Sequence, residues 1–185
     1  MAEIDDAIER ADREAFTRQP PKTLQARINF LMKQLKTTRA VAQEIGVSQR
    51  SVERYRKGER KHPPQAIAER IDAAVRQRWQ PQVRKRRQRQ AATTGGITVE
   101  TRARFGYTAP VGTTDDGRFR RLTVHLPPAY AQRLFNARDT GASDQQMRAI
   151  IAEGFKEIYF QDGGARAMDL SDVTLNDIDY LDLDY

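Results

Sequence analysis

From Thr38 to Lys57 the chain reads TRAVAQEIGVSQRSVERYRK, and this stretch constrains the architecture more than any other. Its apolar or small positions are Val41, Ala42, Ile45, Val47, Val52 and Tyr55, and Gly46 stands between two short helical patterns. The layout has a physical reading. Ala42 is small where two helices cross closely, Gly46 permits a left-handed turn, and the Ser48 hydroxyl caps the second helix. Val41, Ile45, Val47, Val52 and Tyr55 then share one core. Leu24, Ile28, Leu31 and Leu35 fall three or four apart, which predicts a preceding amphipathic helix over 23–36. His62-Pro63-Pro64 ends the unit, because paired prolines cannot continue a helix. Gln65 to Gln80 reads as one more helix, with Ile67, Ile71, Ala74 and Val75 on one face.

The 185 residues suffice for one domain or two small ones, and the 32 Lys and Arg against 25 Asp and Glu are unevenly placed. Residues 1–21 carry −3, residues 22–89 carry +14, residues 90–168 carry +2 and residues 169–185 carry −6. A strongly basic half points to a polyanion as partner. There are no cysteines, which excludes disulfides, thiol nucleophiles and Cys-based metal sites. Two isolated histidines, His62 and His125, are too few for a histidine-rich metal centre, so no metal site is expected. No apolar run approaches the ~18 residues of a membrane span, and the acidic start is the opposite of a signal peptide. The expectation is a soluble cytoplasmic protein, associated with the nucleoid and not with a membrane.

Residues 38–57 resemble the helix-turn-helix family, with small residue, glycine and hydrophobics at that family's spacing. In that geometry the second helix, about 48–57, lies in the major groove. With Val52 and Tyr55 inward, Gln49, Arg50, Glu53, Arg54 and Lys57 form the outer face. Gln49 and Arg50 are the candidates for base edges, since glutamine suits adenine and arginine suits guanine. Arg54, Arg56, Lys57, Arg60 and Lys61 are candidates for phosphates. The basic run RKRRQRQ follows, and its Arg84, Lys85, Arg86, Arg87 and Arg89 either track the DNA backbone or form a disordered charged linker.

Ile97 to Tyr107 alternates polar and apolar residues and predicts a strand; 108–117 is turn chemistry; Arg118 to Leu126 predicts a second strand. Pro127-Pro128 opens a helix to about Arg138, and Ser143 caps a longer one to about Phe160 with Met147, Ile150, Ile151, Phe155, Ile158 and Tyr159 as its stripe. Residues 120–159 resemble a ribbon-helix-helix module. That resemblance implies that Arg121, Thr123 and His125 face DNA, that Leu122, Val124 and Leu126 enter a dimer core, and that the chain forms a homodimer through residues 118–160. The alternative is a ββαα domain whose second strand packs against its hairpin partner. The Asp-rich tail either adds a strand to a partner, folds against the protein's own basic half, or is disordered. The expected fold is therefore mostly α with a small β-hairpin or ribbon. Its parts are an acidic segment 1–21, a helix-turn-helix domain 22–83, a basic linker 84–96, a hairpin plus two-helix module 97–168 and an acidic tail 169–185.

The whole chain resembles a narrower group, the telomere terminal proteins (Tpg family) of linear Streptomyces chromosomes and plasmids. The resemblance runs from LQARINFLMKQLKTTRAVAQEIGVSQRSVERYRKG through FGYTAPVGTTDDGRFRRLTVHLP to the Asp-rich end. It implies a protein bound covalently to DNA 5′ ends that primes end replication from a threonine hydroxyl, here Thr114, with neighbouring Thr113 as runner-up. It further implies two partners, a DNA polymerase and a telomere-associated DNA-binding protein. The chain is then no enzyme and has no cofactor of its own; the magnesium ions of priming belong to the polymerase. The residues themselves support such chemistry. A protein primer needs a hydroxyl on a pliable segment beside a DNA-binding surface, and GTTDDG has Gly112 and Gly117 for the bend and small neighbours around the Oγ. Asp115 and Asp116 either assist the hydroxyl or simply form a turn. Ser51, Tyr107 and Tyr130 are poorer candidates, one inside the reading helix and two expected to pack. The rival reading is a non-covalent transcriptional or partition regulator built from the same modules.

Overall fold

The computed structural model describes residues 3–108, 118–165 and 170–185. The chain divides into two compact units, Phe16–Gln82 and a second made of the segment up to Ala15 together with Val83–Tyr185. The described residues are mostly helical, with one small three-stranded antiparallel sheet.

Four helices form the unit Phe16–Gln82: α2 (Leu24–Leu35), α3 (Thr38–Ile45), α4 (Gln49–Lys57) and α5 (Gln65–Arg78). Three of them start on a hydroxyl that accepts an orphan backbone N–H: Thr23 from Ala26, Thr37 from Ala40 and Ser48 from Ser51. Helix α3 stops at Gly46, whose φ of 69° is left-handed, and an added Cβ there would stand 2.3 Å from the Arg70 guanidinium. The core is Ile28, Leu31, Val41, Ala42, Ile45, Val52, Tyr55, Ile71, Ala74 and Val75, with Val47 packed at its margin. Phe30 meets the single tryptophan, Trp79, edge to face at 5.0 Å.

The other unit contains α1 (Glu3–Glu14), α6 (Pro81–Gln90, from Val83 on), β1 (Ile97–Thr108), β2 (Arg118–Leu126), α7 (Pro128–Asp139), α8 (Asp144–Phe155) and β3 (Asp172–Asp184). Strand order is β2-β1-β3, so β1 is central. Ile97 pairs with Leu126 and Phe105 with Arg118 on one side; Thr98 pairs with Asp184 and Thr108 with Asp172 on the other. One face turns Val99, Ala103, Phe105, Leu122, Val124, Leu126, Val173, Leu175, Leu181 and Leu183 into a core shared with α1, α7 and α8. In β3, Asp177, Ile178 and Asp179 stand opposite Ala103 alone. An insertion of two residues keeps Leu175 and Leu181 on the same side, where one extra residue would flip every side chain beyond it. Gly154 lets α8 close on β2, since a Cβ there would meet Leu126 at 2.8 Å.

Three segments differ from expectation. The acidic start is not a separate segment: Ile4, Ala7, Ile8 and Ala11 of α1 are buried in the core of the second unit. The 84–96 linker is ordered as α6 and a π-helical turn, Ala91–Gly95, with Ala91 buried. The tail is strand β3, whose aspartates face outward while Val173, Leu175, Leu181 and Leu183 go inward. Burying each such side chain contributes about 1.5–3 kcal/mol, which adds to the β1 ladder in holding the segment against the sheet. Strand β2 pairs with β1 within the chain, and Leu122, Val124 and Leu126 are buried there without a second copy.

Replacing Leu181 by Ala should destabilise this unit by about 3 kcal/mol, read from the urea midpoint by far-ultraviolet circular dichroism. An unmoved midpoint would mean that β3 does not pack. Ser48→Ala should cost about 1 kcal/mol, and Trp79 fluorescence reports it, because the only tryptophan lies in the four-helix unit.

Candidate nucleic-acid interface

Helix α4 carries two apolar anchors, Val52 and Tyr55, both buried. Spaced three apart, they turn one side of the helix inward and leave Gln49, Arg50, Glu53, Arg54, Arg56 and Lys57 exposed. Ser48 and Gly58 cap its two ends. Gln25 Nε2 donates to the Arg56 carbonyl at 2.8 Å, which ties the end of α4 to α2. Arg54 lies 3.7 Å from Glu59, a loose exposed pair, and the Arg60 guanidinium stands over the Tyr55 ring at 5.8 Å. Among the described residues Arg50, Arg56, Lys57 and Lys61 form no ion pair and stand in solvent. The helix therefore projects a row of unneutralised cations with Gln49 and Arg50 at its N-terminal end.

The basic run splits by helical position. Arg84 Nε sits 3.0 Å from the buried Asp12 carboxylate. Arg87 pairs with Asp184 at 3.4 Å and lies over the Tyr185 ring at 5.7 Å. These two are held inside their own unit, whereas Lys85, Arg86 and Arg89 are exposed. For the first two the structure gives an intramolecular carboxylate where the sequence suggests a phosphate.

The outer face of the sheet carries Arg121, Thr123 and His125 of β2, all exposed. Arg121 Nη2 donates to Glu100 at 2.7 Å and Tyr180 Oη to the same oxygen at 3.0 Å. Those two hydrogen bonds, Arg121 first, hold the Glu100 carboxyl below its usual range. His125 Nδ1 is 3.1 Å from Thr98 Oγ1. The same face holds residues to which the sequence reading gave no role, although alternation in β2 already puts Phe119 on the side of Arg121, Thr123 and His125. Phe119 is 48% exposed, with the guanidinium carbons of Arg104 and Arg102 at 5.3 and 5.8 Å from its ring centre. Arg102 pairs with Asp179 at 2.7 Å and Arg104 with Asp177 at 3.6 Å. The available signal was the alternation in β1, which puts Arg102 and Arg104 on the face opposite Val99, Ala103 and Phe105.

Thr114, Thr113, Asp115 and Asp116 lie outside the described residues; in the chain they fall between Thr108, the last residue of β1, and Arg118, the first of β2. The competing hydroxyls are placed as follows. Ser51 Oγ is 3.0 Å from Ser48 Oγ at the start of α4. Tyr130 is buried, and its hydroxyl donates to Glu157 at 2.5 Å. Burial first, then that carboxylate, pushes its ionisation far up, which disfavours it as a nucleophile. The Tyr107 side chain is outside the described set.

Among the described residues no group of three His, Asp or Glu side chains is placed to hold a metal ion, and no helix is long and apolar enough to cross a membrane. The strongest chemistry in view is thus recognition of an anion by exposed guanidinium and ammonium groups, led by α4. No protein-family model, curated protein or solved structure matches this chain.

Proposed function

We propose that this chain binds the ends of linear DNA and carries the 5′-terminal nucleotide on a threonine hydroxyl, as the resemblance to telomere terminal proteins implies. The observation that carries the binding half is the exposed, unpaired cationic row of α4, led by Gln49 and Arg50. Helix α3, the turn 46–48 and α4 are read as a helix-turn-helix, with α4 in the major groove. Arg50 takes a guanine edge and Gln49 an adenine edge, while Arg56, Lys57 and Lys61 hold phosphates. The order β2, α7, α8 is that of a ribbon-helix-helix half, but the duplex reading rests on α4.

The covalent half rests on the resemblance and on the choice among hydroxyls. Thr114 Oγ attacks the α-phosphorus of a deoxynucleoside triphosphate, a phosphoester forms, the α–β anhydride breaks and pyrophosphate leaves. The hydroxyl proton passes to a base of the partner polymerase, whose metal ions also stabilise the developing charge. This chain contributes the acceptor and its position relative to DNA.

Two measurements test the proposal. In fluorescence anisotropy with terminal duplex, Arg50→Ala should weaken binding about tenfold or more and relax specificity at one base pair, whereas Lys57→Ala should lower the salt slope by about one. Incubation with polymerase, telomere-associated protein and labelled deoxynucleotide should label the wild type and not Thr114→Ala; label that persists would move the acceptor elsewhere, with Thr113→Ala as the next variant. End fragments that run unshifted after detergent and heat would leave a non-covalent regulator.

A further inference from the structure

Among the described residues of this unit, helices cover one face of the three-stranded sheet and leave the other open. The open face carries two aromatic rings set among guanidinium groups, Phe119 beside Arg104 and Arg102 and Tyr180 beside Arg121 at 5.9 Å, and of the two Phe119 is the more exposed. Register places Arg104 directly opposite Phe119 and Arg102 directly opposite Arg121, so three arginines cluster on two adjacent strands. Like charges directly opposite are unfavourable, and acids from neighbouring positions hold the cluster together: Asp177 on Arg104, Asp179 on Arg102 and Glu100 on Arg121.

We propose that this face is a platform for single-stranded DNA, in which Phe119 stacks on a base and Arg102 and Arg104 exchange Asp179 and Asp177 for the flanking phosphates. The chemistry selects this occupant. An exposed aromatic ring on a sheet, flanked by cations, offers the two contacts that unpaired nucleotides use, a stacking surface and a phosphate partner. A paired duplex has no free base face to offer Phe119. The exchange is favourable because both carboxylate pairs are open to solvent: the Arg102–Asp179 side chains are 55% and 53% exposed, and such pairs hold their arginines weakly. A phosphate adds a bidentate partner for a planar guanidinium and releases counterions from the strand. Asp177 and Asp179 thereby act as competitors that tune affinity. Phe119 is also one residue from the start of β2, beside the connection that contains Thr114. A strand end held on Phe119 is close in the chain to the acceptor hydroxyl. The preference for DNA over RNA rests on the function proposed above; the platform itself does not.

The test uses the full chain and a fluorescent oligothymidylate of about a dozen nucleotides, within the site size of known single-strand binders. Phe119→Ala should weaken binding by roughly fivefold to a hundredfold, the range that loss of one stacked base produces. Phe119→Tyr should restore it, which separates stacking from a packing defect. Asp177→Asn with Asp179→Asn should tighten binding, and Arg102→Ala with Arg104→Ala should weaken it and flatten the salt dependence. Equal affinity of wild type and Phe119→Ala overturns the platform, as does a basic peptide that binds this face in preference to the oligonucleotide. Tighter binding of oligouridylate overturns the choice of DNA. Duplex binding by α4 and labelling of Thr114 are measured in parallel. If they succeed while Phe119 proves indifferent, only the platform falls. If Phe119 matters while Thr114 takes no label, only the covalent function falls.

Discussion

The carboxylate of Asp12 is fully buried and joins four segments that are distant in sequence. Tyr185 Oη donates to it at 2.6 Å, Arg84 Nε lies at 3.0 Å, Gln88 Nε2 at 3.2 Å and Arg138 Nη1 at 3.5 Å. Burial raises its ionisation, and those same four donors oppose the rise. Arg138 also reaches Asp5 at 2.5 Å and Glu9 at 3.7 Å, so α1 presents three acids to one guanidinium. Opening a buried pair on one side costs about 3–5 kcal/mol, several times an exposed pair. Both ends of the chain are therefore fastened at one point. That fastening brings the last residues of β3 alongside β1, and the pairing of β1 on both edges makes it the centre of the sheet. The face that carries Phe119, Arg102 and Arg104 lies on β1 and β2, and β3 adds Asp177, Asp179 and Tyr180 to it.

Helices α2 to α5 were legible because their signals are local. Thr23, Thr37 and Ser48 precede apolar repeats, and Gly46 marks the turn within three residues of its partners. Both strands of the hairpin and the Ser143 cap were legible for the same reason. The stripe Ile4, Ala7, Ile8, Ala11 and the alternation of 172–184 were equally visible in the chain, but their partners lie far away. The acids around them read as a solvated face when they are counterions to the chain's own arginines. The basic run illustrates the difficulty. Arg84, Arg87 and Gln88 share one side of α6 at spacings of three and four, while Lys85, Arg86 and Arg89 take the other. Composition treats all five cations alike; only a buried acid on another helix separates them. At the candidate interface, the outer face of α4 followed from two anchors, whereas Phe119 with Arg102 and Arg104 required the register of two strands.

The net charge of +7 conceals how differently the two units use their cations. In the unit with the sheet, Arg10, Arg84, Arg87, Arg102, Arg104, Arg121 and Arg138 each face a carboxylate. In Phe16–Gln82 fifteen Lys and Arg meet only five acids, and on α4, among the described residues, Arg50, Arg56 and Lys57 form no ion pair. Long-range attraction of a polyanion follows unneutralised charge, since a paired arginine contributes little field beyond a Debye length of about 8–10 Å. In the function proposed above, encounter with DNA is dominated by the four-helix unit, and its rate falls steeply with salt. The contacts proposed for the sheet are different in kind: each arginine would first leave an acid, so they would act only at short range, once a base has stacked.

That difference suits the function proposed above, in which an acceptor hydroxyl meets a polymerase. Pairing Arg102 with Asp179 and Arg104 with Asp177 quiets the sheet face without removing its arginines. The segment that contains Thr114 joins two strands whose register is set by nine consecutive pairs. The strands that flank it, Ile97–Thr108 and Arg118–Leu126, are thereby held against each other. Under the proposed function, that pairing fixes where the acceptor segment leaves and rejoins the sheet, which is the positioning that transfer to an external catalyst requires.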